Sequence, residues 1–417
     1  MAAQQTHKLQ KGMNRVNDFN NKKKYSLKMV LAMMLLATAL TSSVFLLVLD
    51  RELGLFSKRF AAVHEYAALL TEIEEQYIGE FNLGEVSANA NGAAVYALGD
   101  RWSFYMTAAE YASYLNSSDN KFIGIGVNIS IDEETQCMRV LSLHSNSPAE
   151  KAGIMPGDII IGIDDESIAG LDLEEVRARL SRNIGDKVLL NVKRENGKEE
   201  TVTVIYDIIF TNPVSYEMLE DKIGYIKITN FEGESASGFI EASKKLIEQG
   251  ATAFIYDVRD NNGGRVTEMT AILDYLLPEG EIFVSVDKSG KEYSTMSGPG
   301  CVNLPAAVLF DRYSYSAAEY FAATLGEYNY ATTVGEQSTG KNRSQITITL
   351  PGGSALHISS GEYLTKNRIS LYDQGGLTPQ YQIPLPDDKL FLLTTNRLEK
   401  SDDPQLQKAI EVVKGIR

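Results

Sequence analysis

The sequence predicts a multidomain α/β protein whose folded part follows a single membrane-spanning helix. A chain of 417 residues is too long for one compact core. Strand and helix patterns alternate from residue 214 to 384, which is typical of a sheet with parallel strands. An uncharged apolar run covers residues 29–49 and follows a cluster of lysines.

The apolar run is long enough to cross a bilayer. Met29–Leu49 has no charged residue, and a helix of that length spans about 31 Å. The lysines before it are Lys22, Lys23, Lys24 and Lys28. This basic flank predicts a cytoplasmic tail at 1–28, a transmembrane helix at 29–49, and the rest of the chain outside the cytoplasm at the cell membrane. A cleaved signal peptide is the alternative, although the run exceeds the usual apolar region of about 7–15 residues.

Charge and cysteine content exclude some classes of function. The net charge is -15, and beyond residue 50 there are 33 basic against 53 acidic side chains. Nucleic-acid-binding proteins usually present a basic face, so no nucleic acid partner is expected. Cys137 and Cys301 predict two buried free thiols rather than a disulfide. No Cys/His cluster suits a metal, and no cofactor is expected.

Helical patterns fill residues 57–118. Apolar residues recur at helical spacing in "HEYAALLTEIEEQYIGEF" and again in "VSANANGAAVYAL". Gly99 and Asp100 end the second helix, and Thr107 is the predicted N-cap of a third. We expect this region to pack on the domain that follows in the alternating part of the chain.

Two further domains follow. Residues 119–207 alternate between apolar and polar positions in five short segments, which predicts a small β-rich module. Residues 208–400 contain the alternating strands and helices, and 401–417 contain a last helix. The βαβ order predicts parallel strands in this second part.

Ser316 lies where the strand pattern "PAAVLF" gives way to a helix pattern. Ligand sites form at the carboxyl ends of strands in α/β sheets, and a helix start offers free N–H groups. The N–H of Ala317 would then hold a developing oxyanion. A serine here is also a common N-cap, and the segment alone does not decide between nucleophile and cap.

Two other segments carry residues that suit a serine nucleophile. In "DVRDNNGGRVTEM", Gly263 and Gly264 let the backbone approach a ligand closely, although they also fit an ordinary turn. Lys341 lies in the polar segment "STGKNRSQ". It would act as a base only if burial keeps it neutral. The alternative is that Lys341 is an ordinary lysine in a loop.

The segment "FIGIGV" suits recognition of a peptide terminus. Glycines beside apolar residues at a strand start expose backbone N–H groups that take a carboxylate, and the strand pairs with the peptide. A tight turn into a strand is the plainer interpretation. The residues concerned are Phe122, Ile123, Gly124, Ile125, Gly126 and Val127.

Together these motifs resemble the C-terminal processing peptidases, also called tail-specific proteases, over about residues 60–417. "ALGDRWSFYMTAAEYASYL" resembles the family's segment before its PDZ domain, and "SPAEKAGIMPGDIIIGID" resembles the PDZ core. "DVRDNNGGRVTEM", "SYSAAEY" and "VGEQSTGKNRSQ" are similar to its three catalytic motifs. The resemblance implies a crotonase/ClpP-like α/β protease core with an inserted PDZ domain, acting as a serine-type endopeptidase with a Ser-Lys pair.

The resemblance also implies the residue roles. Ser316 is the nucleophile, Lys341, 25 residues later, is the base, and Gln345 supports the lysine. The oxyanion donors are the N–H groups of Ala317 and of either Gly263 or Gly264.

Arg182 falls where family members carry an arginine that links the PDZ domain to the core, a regulatory position. The family's substrates are proteins with exposed C-terminal tails. The helices at 60–80 and 403–414 resemble dimerising elements, or pack on the chain's own core.

Some positions depart from the family pattern. Tyr315 precedes the serine where alanine is usual, and its ring is expected to narrow the substrate groove. Ala318 replaces a second serine, and Asn342 replaces a glycine, which suits a residue that tolerates unusual backbone angles. These departures leave a catalytically inactive PDZ scaffold as the alternative function.

Overall fold

The computed structural model describes residues 26–53, 58–144, 146–395 and 397–415. The chain divides into two units, Met1–Val86 and Ser87–Arg417. Most of the predicted basic tail, with five of its six lysines, lies outside the described residues.

The first unit contains two long helices, α1 (Leu27–Leu53) and α2 (Lys58–Gln76). Leucine, methionine and alanine dominate α1, and these residues favour helix strongly. Leu27–Leu49 has a mean hydropathy of 2.2, and none of its most apolar window is buried inside the structure. By length and composition this helix suits a membrane span or a signal sequence.

Helix α3 (Leu83–Tyr96) leads into the second unit and is followed by strand β1 (Phe104–Met106) and helix α4 (Ala108–Ser118). Thr107 is the N-cap of α4, as predicted. Its hydroxyl accepts from the Glu110 N–H at 3.3 Å, and the Glu110 carboxylate accepts from the Thr107 N–H at 2.7 Å.

The β-rich module is an antiparallel sheet in the order β3-β4-β5-β7-β8, with β6 beside β5. Its strands are β3 (Val127–Ile131), β4 (Met138–Leu143), β5 (Ile159–Ile163), β6 (Glu166–Ser167), β7 (Lys187–Lys193) and β8 (Glu199–Ile205). Its helices are α5 (Pro148–Lys151) and α6 (Leu173–Arg179). Isoleucines and valines from its strands and helices fill one shared core, which includes Ile160, Val176 and Val192.

Two strands outside this sheet connect the module to the rest of the unit. They are β2 (Lys121–Gly124) and β9 (Asp207–Phe210), and they pair antiparallel with each other. The chain therefore enters and leaves the β-rich module at one place. The rest of the second unit after β9 is called its second part.

A six-stranded sheet in the order β10-β11-β12-β15-β16-β19 forms the centre of the second part. Its strands are β10 (Val214–Leu219), β11 (Ile223–Ile228), β12 (Ala253–Asp257), β15 (Ala306–Phe310), β16 (Ala331–Gly335) and β19 (Tyr381–Gln382). The last five run parallel, as the βαβ pattern predicted. All five residues of β12 are buried, as expected for a parallel strand covered on both faces.

Helices cover both faces of this sheet. One face packs against α7 (Ser235–Glu248), α8 (Val266–Leu276) and α9 (Ala317–Glu327). The other packs against α11 (Pro404–Gly415), which buries its apolar face on the sheet. For this helix the structure therefore favours packing on the chain's own core over the dimerising role.

A second sheet lies beyond the first layer of helices, in the order β1-β18-β13-β14 with β17 on β18. Its remaining strands are β13 (Gly280–Asp287), β14 (Glu292–Ser297), β17 (Arg343–Thr349) and β18 (Ala355–Leu364). The short helix α10 (Asp387–Thr394) follows β19.

Both cysteines are free thiols, as predicted, but only Cys137 is buried. Cys301 is exposed because it lies in the Gly/Pro-rich loop between β14 and β15, outside either sheet. The prediction of a second buried thiol was therefore wrong.

Candidate active site

Ser316 forms the turn between β15 and α9, at the carboxyl end of a central parallel strand. An ordinary N-cap has extended backbone angles, whereas Ser316 has φ 58° and ψ −126°. Such angles are costly for a residue with a side chain and persist where the surrounding structure holds them. Ser314 helps to hold this turn, since its hydroxyl donates to the Val258 carbonyl at 2.7 Å.

Glu319, one turn into α9, is fully buried beneath Ser316. Its carboxylate accepts from the backbone N–H groups of Ser316 and Lys341, both at 2.9 Å, and of Gly340 at 2.6 Å. The Ser338 hydroxyl also donates to it. Burial raises the pKa of the Glu319 carboxyl, and these hydrogen bonds oppose that rise. The sequence analysis did not select this residue.

Lys341 is half-buried in the loop between β16 and β17. Its Nζ lies 4.3 Å from the centre of the Trp102 ring and 5.8 Å from that of Tyr315. Burial lowers the pKa of Lys341 to about 8, against the opposing charges of Asp100 and Glu319. Among the described residues its ammonium makes no hydrogen bond or ion pair, to Ser316 or to any other group.

Trp102 is the second residue that the sequence analysis did not select. The Trp102 ring packs against the Tyr315 ring, with 5.4 Å between ring centres. The guanidinium carbon of Arg101 lies 4.3 Å from the centre of the Trp102 ring. The Tyr315 ring thus contacts Trp102 beside the lysine. The pairing of β1 with β18 brings this segment to the lysine loop.

The glycine loop after β12 touches the Ser316 turn. A Cβ on Gly263 would lie 2.8 Å from the Ser316 Cβ and 3.0 Å from the Ala317 nitrogen, so only glycine fits. The Gly263 N–H donates to the Asn261 side chain at 2.8 Å. No such bond occupies the N–H of Gly264 or of Ala317 within the described part of the chain.

Gln345 lies on β17 and points into a polar network. Its amide donates to the Ser359 hydroxyl and to the Arg343 carbonyl, each at 3.0 Å. The Ser359 N–H donates to Ser103 at 3.0 Å, and the Ser103 hydroxyl donates to Asp100 at 2.6 Å. Gln345 thus reaches Asp100, one of the charges beside Lys341, through two serines.

Comparison with known proteins identifies the family of this chain and one of its domains. The profile of Peptidase family S41 matches residues 222–383, and that of the PDZ domain matches 139–194. The chain is 30% identical over 302 residues to a carboxyl-terminal-processing protease of Picosynechococcus, covering 71% of this chain and 72% of the relative. The chain belongs to peptidase family S41.

Other S41 members are similarly close. The carboxy-terminal processing protease CtpA of Bacillus subtilis is 29% identical over 335 residues, covering 80% of this chain and 71% of the relative. A solved S41 protease from Bacteroides fragilis superposes with a TM-score of 0.52 at 16% identity, covering 77% of this chain and 88% of that one, which supports the fold. The resemblance and the S41 fold with a PDZ domain are confirmed.

The predicted peptide-binding segment of the PDZ domain runs from β2 through a loop into β3. Phe122, Ile123 and Gly124 lie in β2, and Val127 begins β3. The loop between is tightly packed, because Ile125 is buried and a Cβ on Gly126 would lie 2.4 Å from the Ser147 Cβ. β3 ends its sheet and pairs only with β4 among the described strands.

Two S41 positions have different surroundings from those expected. Arg182 forms an ion pair with Asp164, within the PDZ domain, so its link to the protease core remains a prediction. Asn342 does not have a positive φ. In the loop that carries Lys341, the residue with left-handed backbone angles is Gly340, with φ 84°. The Asn342 amide instead donates to the Ser370 hydroxyl at 3.1 Å.

Proposed function

We propose that this S41 protein is a membrane-anchored serine endopeptidase that cleaves proteins selected by their C-terminal tails. The observation that carries the catalytic part is the shared carboxylate of Glu319, which binds the backbone of both Ser316 and Lys341. It fixes the backbones of the proposed nucleophile and the proposed base relative to each other.

In the proposed reaction Ser316 Oγ attacks the scissile carbonyl and neutral Lys341 takes its proton. The lysine then donates that proton to the leaving amine, and a water, activated by the same lysine, hydrolyses the acyl-enzyme. With a pKa of about 8, roughly one lysine in ten is neutral at pH 7. In this mechanism the Lys341 amino group moves from its place on the Trp102 ring toward the Ser316 hydroxyl. Gln345 would support it through the Asp100 network.

The oxyanion would be held by backbone N–H groups. Ala317 supplies one from the first turn of α9. Of the two glycines we assign the other to Gly264, because the Gly263 N–H already donates to Asn261. Gly263 is needed instead for its close approach to Ser316.

Substrate selection is assigned to the PDZ domain, which we place at 119–207, between an N-terminal helical region at 57–118 and a protease core at 208–400. One edge of β3 pairs with no other described strand and suits an added peptide strand, and the loop at 124–127 suits a terminal carboxylate. The apolar helix at 29–49 would anchor the chain, with the catalytic part outside the cytoplasm.

The full chain in detergent tests this proposal. Wild type, Ser316→Ala and Lys341→Ala are incubated with an unstructured protein that ends in an apolar tail, and products are read by mass spectrometry. We expect cleavage by wild type and a loss of at least a thousandfold in either variant. Ser289→Ala, an exposed serine in a hairpin loop, is the control and should cleave normally.

Full activity of Lys341→Ala would refute the Ser-Lys pair. Tail binding without any cleavage by wild type would favour the inactive PDZ scaffold. Partition of the full chain into membranes, lost on deletion of residues 1–53, tests the anchor.

A further inference from the structure

The carboxylate of Glu319 is surrounded by donors on every side. One oxygen, Oε2, accepts from the N–H groups of Ser316 and Lys341, and the other, Oε1, accepts from the Gly340 N–H and the Ser338 hydroxyl. A carboxylate has about four acceptor positions, so all of them are filled. No acceptor position remains for a substrate.

The four donors come from two segments that are far apart in sequence. Ser316 belongs to the turn before α9, whereas the others belong to the loop after β16. The two backbone N–H groups on Oε2 belong to the proposed nucleophile and the proposed base themselves. One atom of Glu319 therefore sets the separation of these two residues.

The charge of Glu319 is compatible with its burial. The side chain is 0% exposed, and an unpartnered carboxylate there would be costly. Three backbone N–H groups and its position in the first turn of α9, where the helix dipole favours negative charge, offset that cost. No cation pairs with it among the described residues.

We infer that Glu319 is a positioning residue that locks the Ser316 turn to the Lys341 loop. It acts through the backbone and touches neither substrate nor the reacting atoms. Loosening it therefore lowers the rate of acylation and leaves substrate binding unchanged. This inference rests on the proposed function for its catalytic effect, but the coupling of turn and loop does not depend on it.

The test compares Glu319→Gln and Glu319→Asp with wild type in the full chain. Glutamine keeps the shape but aims an NH2 group at backbone donors, and aspartate keeps the charge but is shorter by one methylene. We expect kcat to fall about tenfold to a hundredfold in both, with KM within about twofold, because misplaced catalytic groups affect the chemical step. Glu327→Gln, at the far end of the same helix, is the control.

A merely structural role would not move the pH profile. Glu319→Gln removes a negative charge that raises the pKa of Lys341, so the rise of kcat with pH shifts to lower pH. Glu319→Asp keeps the charge and the wild-type midpoint. Equal midpoints in Glu319→Gln and wild type, with unchanged kcat, would overturn the inference.

Hydrogen–deuterium exchange gives a readout that needs no activity. The Gly340 and Lys341 amides should exchange at least tenfold faster in Glu319→Gln than in wild type, and equally fast in Glu327→Gln. Unchanged exchange in this loop overturns the inference even if wild type proves inactive. Wild-type inactivity with accelerated exchange overturns the proposed function alone. If Glu319→Gln does not fold, Ser338→Ala, which removes one donor, should show the same acceleration on a smaller scale.

Discussion

At the residue scale, the Trp102 ring lies over the Lys341 ammonium, in surroundings whose burial lowers the pKa of that lysine. Trp102 acts on the ammonium in two opposed ways: its bulk excludes water, which disfavours the charge, and its π face attracts the charge. Burial is the largest cause of the lowered pKa of Lys341, so we expect the exclusion of water by the ring to dominate.

Replacement of Trp102 by alanine should therefore raise the pH needed for activity. The base works only when neutral, and its neutral fraction grows as pH rises through its pKa. Rehydrating the ammonium in Trp102→Ala returns the pKa toward 10.5, so activity at pH 7 falls at least tenfold and its midpoint moves above 8. The measurement is kcat/KM from pH 6 to 10.

Trp102→Phe is the matched variant, since it keeps an apolar ring over the lysine and should stay within about half a pH unit of wild type. A midpoint that does not move in Trp102→Ala would contradict the role given to the ring.

The sequence identified some residues of the site and not others. Ser316, Lys341 and the glycine pair stand in local motifs whose turn and helix signals are readable along the chain. Trp102 reaches the lysine only through the pairing of β1 with β18, about 250 residues apart, and no local pattern encodes that contact. Glu319 resembles any acidic residue in the first turn of a helix, so the sequence did not reveal its contacts with the distant segment around Lys341.

At the scale of elements, the loop before β3 depends on one glycine. Gly126 has φ 80°, and a methyl group there would collide with Ser147. We expect Gly126→Ala to weaken binding of a peptide with an apolar C-terminus at least tenfold, because the loop must move to relieve the clash. Fluorescence anisotropy with a labelled peptide measures this.

Gly170→Ala is the control for Gly126→Ala. Gly170 has φ 81° in the same domain, but open space surrounds its missing Cβ. It should lose about 1 kcal/mol of stability and keep its affinity. Equal affinities in both variants would rule out a peptide site at this loop.

The C-terminal helix α11 is joined to the central sheet by a buried charge cluster. Arg259 is 1% exposed and pairs with Asp257 at 2.6 Å and Asp403 at 2.8 Å. Arg259→Leu would leave two buried carboxylates without a cation, so we expect a loss of about 3 kcal/mol in the free energy of unfolding. Urea titration followed by circular dichroism measures it.

Lys400→Ala serves for comparison, since Lys400 pairs with Glu217 on the surface. That exposed pair should contribute less than about 1 kcal/mol. A similar loss in both variants would contradict the structural role of the buried cluster. The sequence predicted a last helix at 401–417. The face of the sheet that this helix covers depends on long-range contacts such as the pairing of Arg259 with Asp403, which no local pattern reveals.

At the scale of the whole second unit, Arg265 links the glycine loop to the segment through which the chain enters the PDZ domain. It directly follows Gly264, and its guanidinium forms ion pairs with Asp119 at 2.7 Å and with Glu232 at 3.2 Å. Asp119 ends α4, two residues before β2 carries the chain toward the PDZ domain. A displacement of this connection would therefore pull on a proposed oxyanion donor.

We expect Arg265→Ala to uncouple tail binding from turnover. Cleavage of a short tail-less peptide is measured with and without an apolar tail peptide added separately, and the ratio of the two rates is compared. In wild type the ratio should differ from one, and in Arg265→Ala it should approach one. Arg368→Ala, which removes a surface arginine paired with Glu281 and Glu292, should keep the wild-type ratio. A wild-type ratio in Arg265→Ala would contradict the link.

Because Glu319 accepts hydrogen bonds mainly from main-chain N–H groups, its contacts do not depend on most of the neighbouring side chains. Tyr315, Ala318 and Asn342 depart from the family pattern, yet none of the four bonds to the carboxylate involves their side chains. The side chains around Ser316 and Lys341 can therefore change while the proposed nucleophile and base keep their backbone positions. We therefore expect the substrate preference set by these side chains to vary independently of the positions of the two proposed catalytic groups.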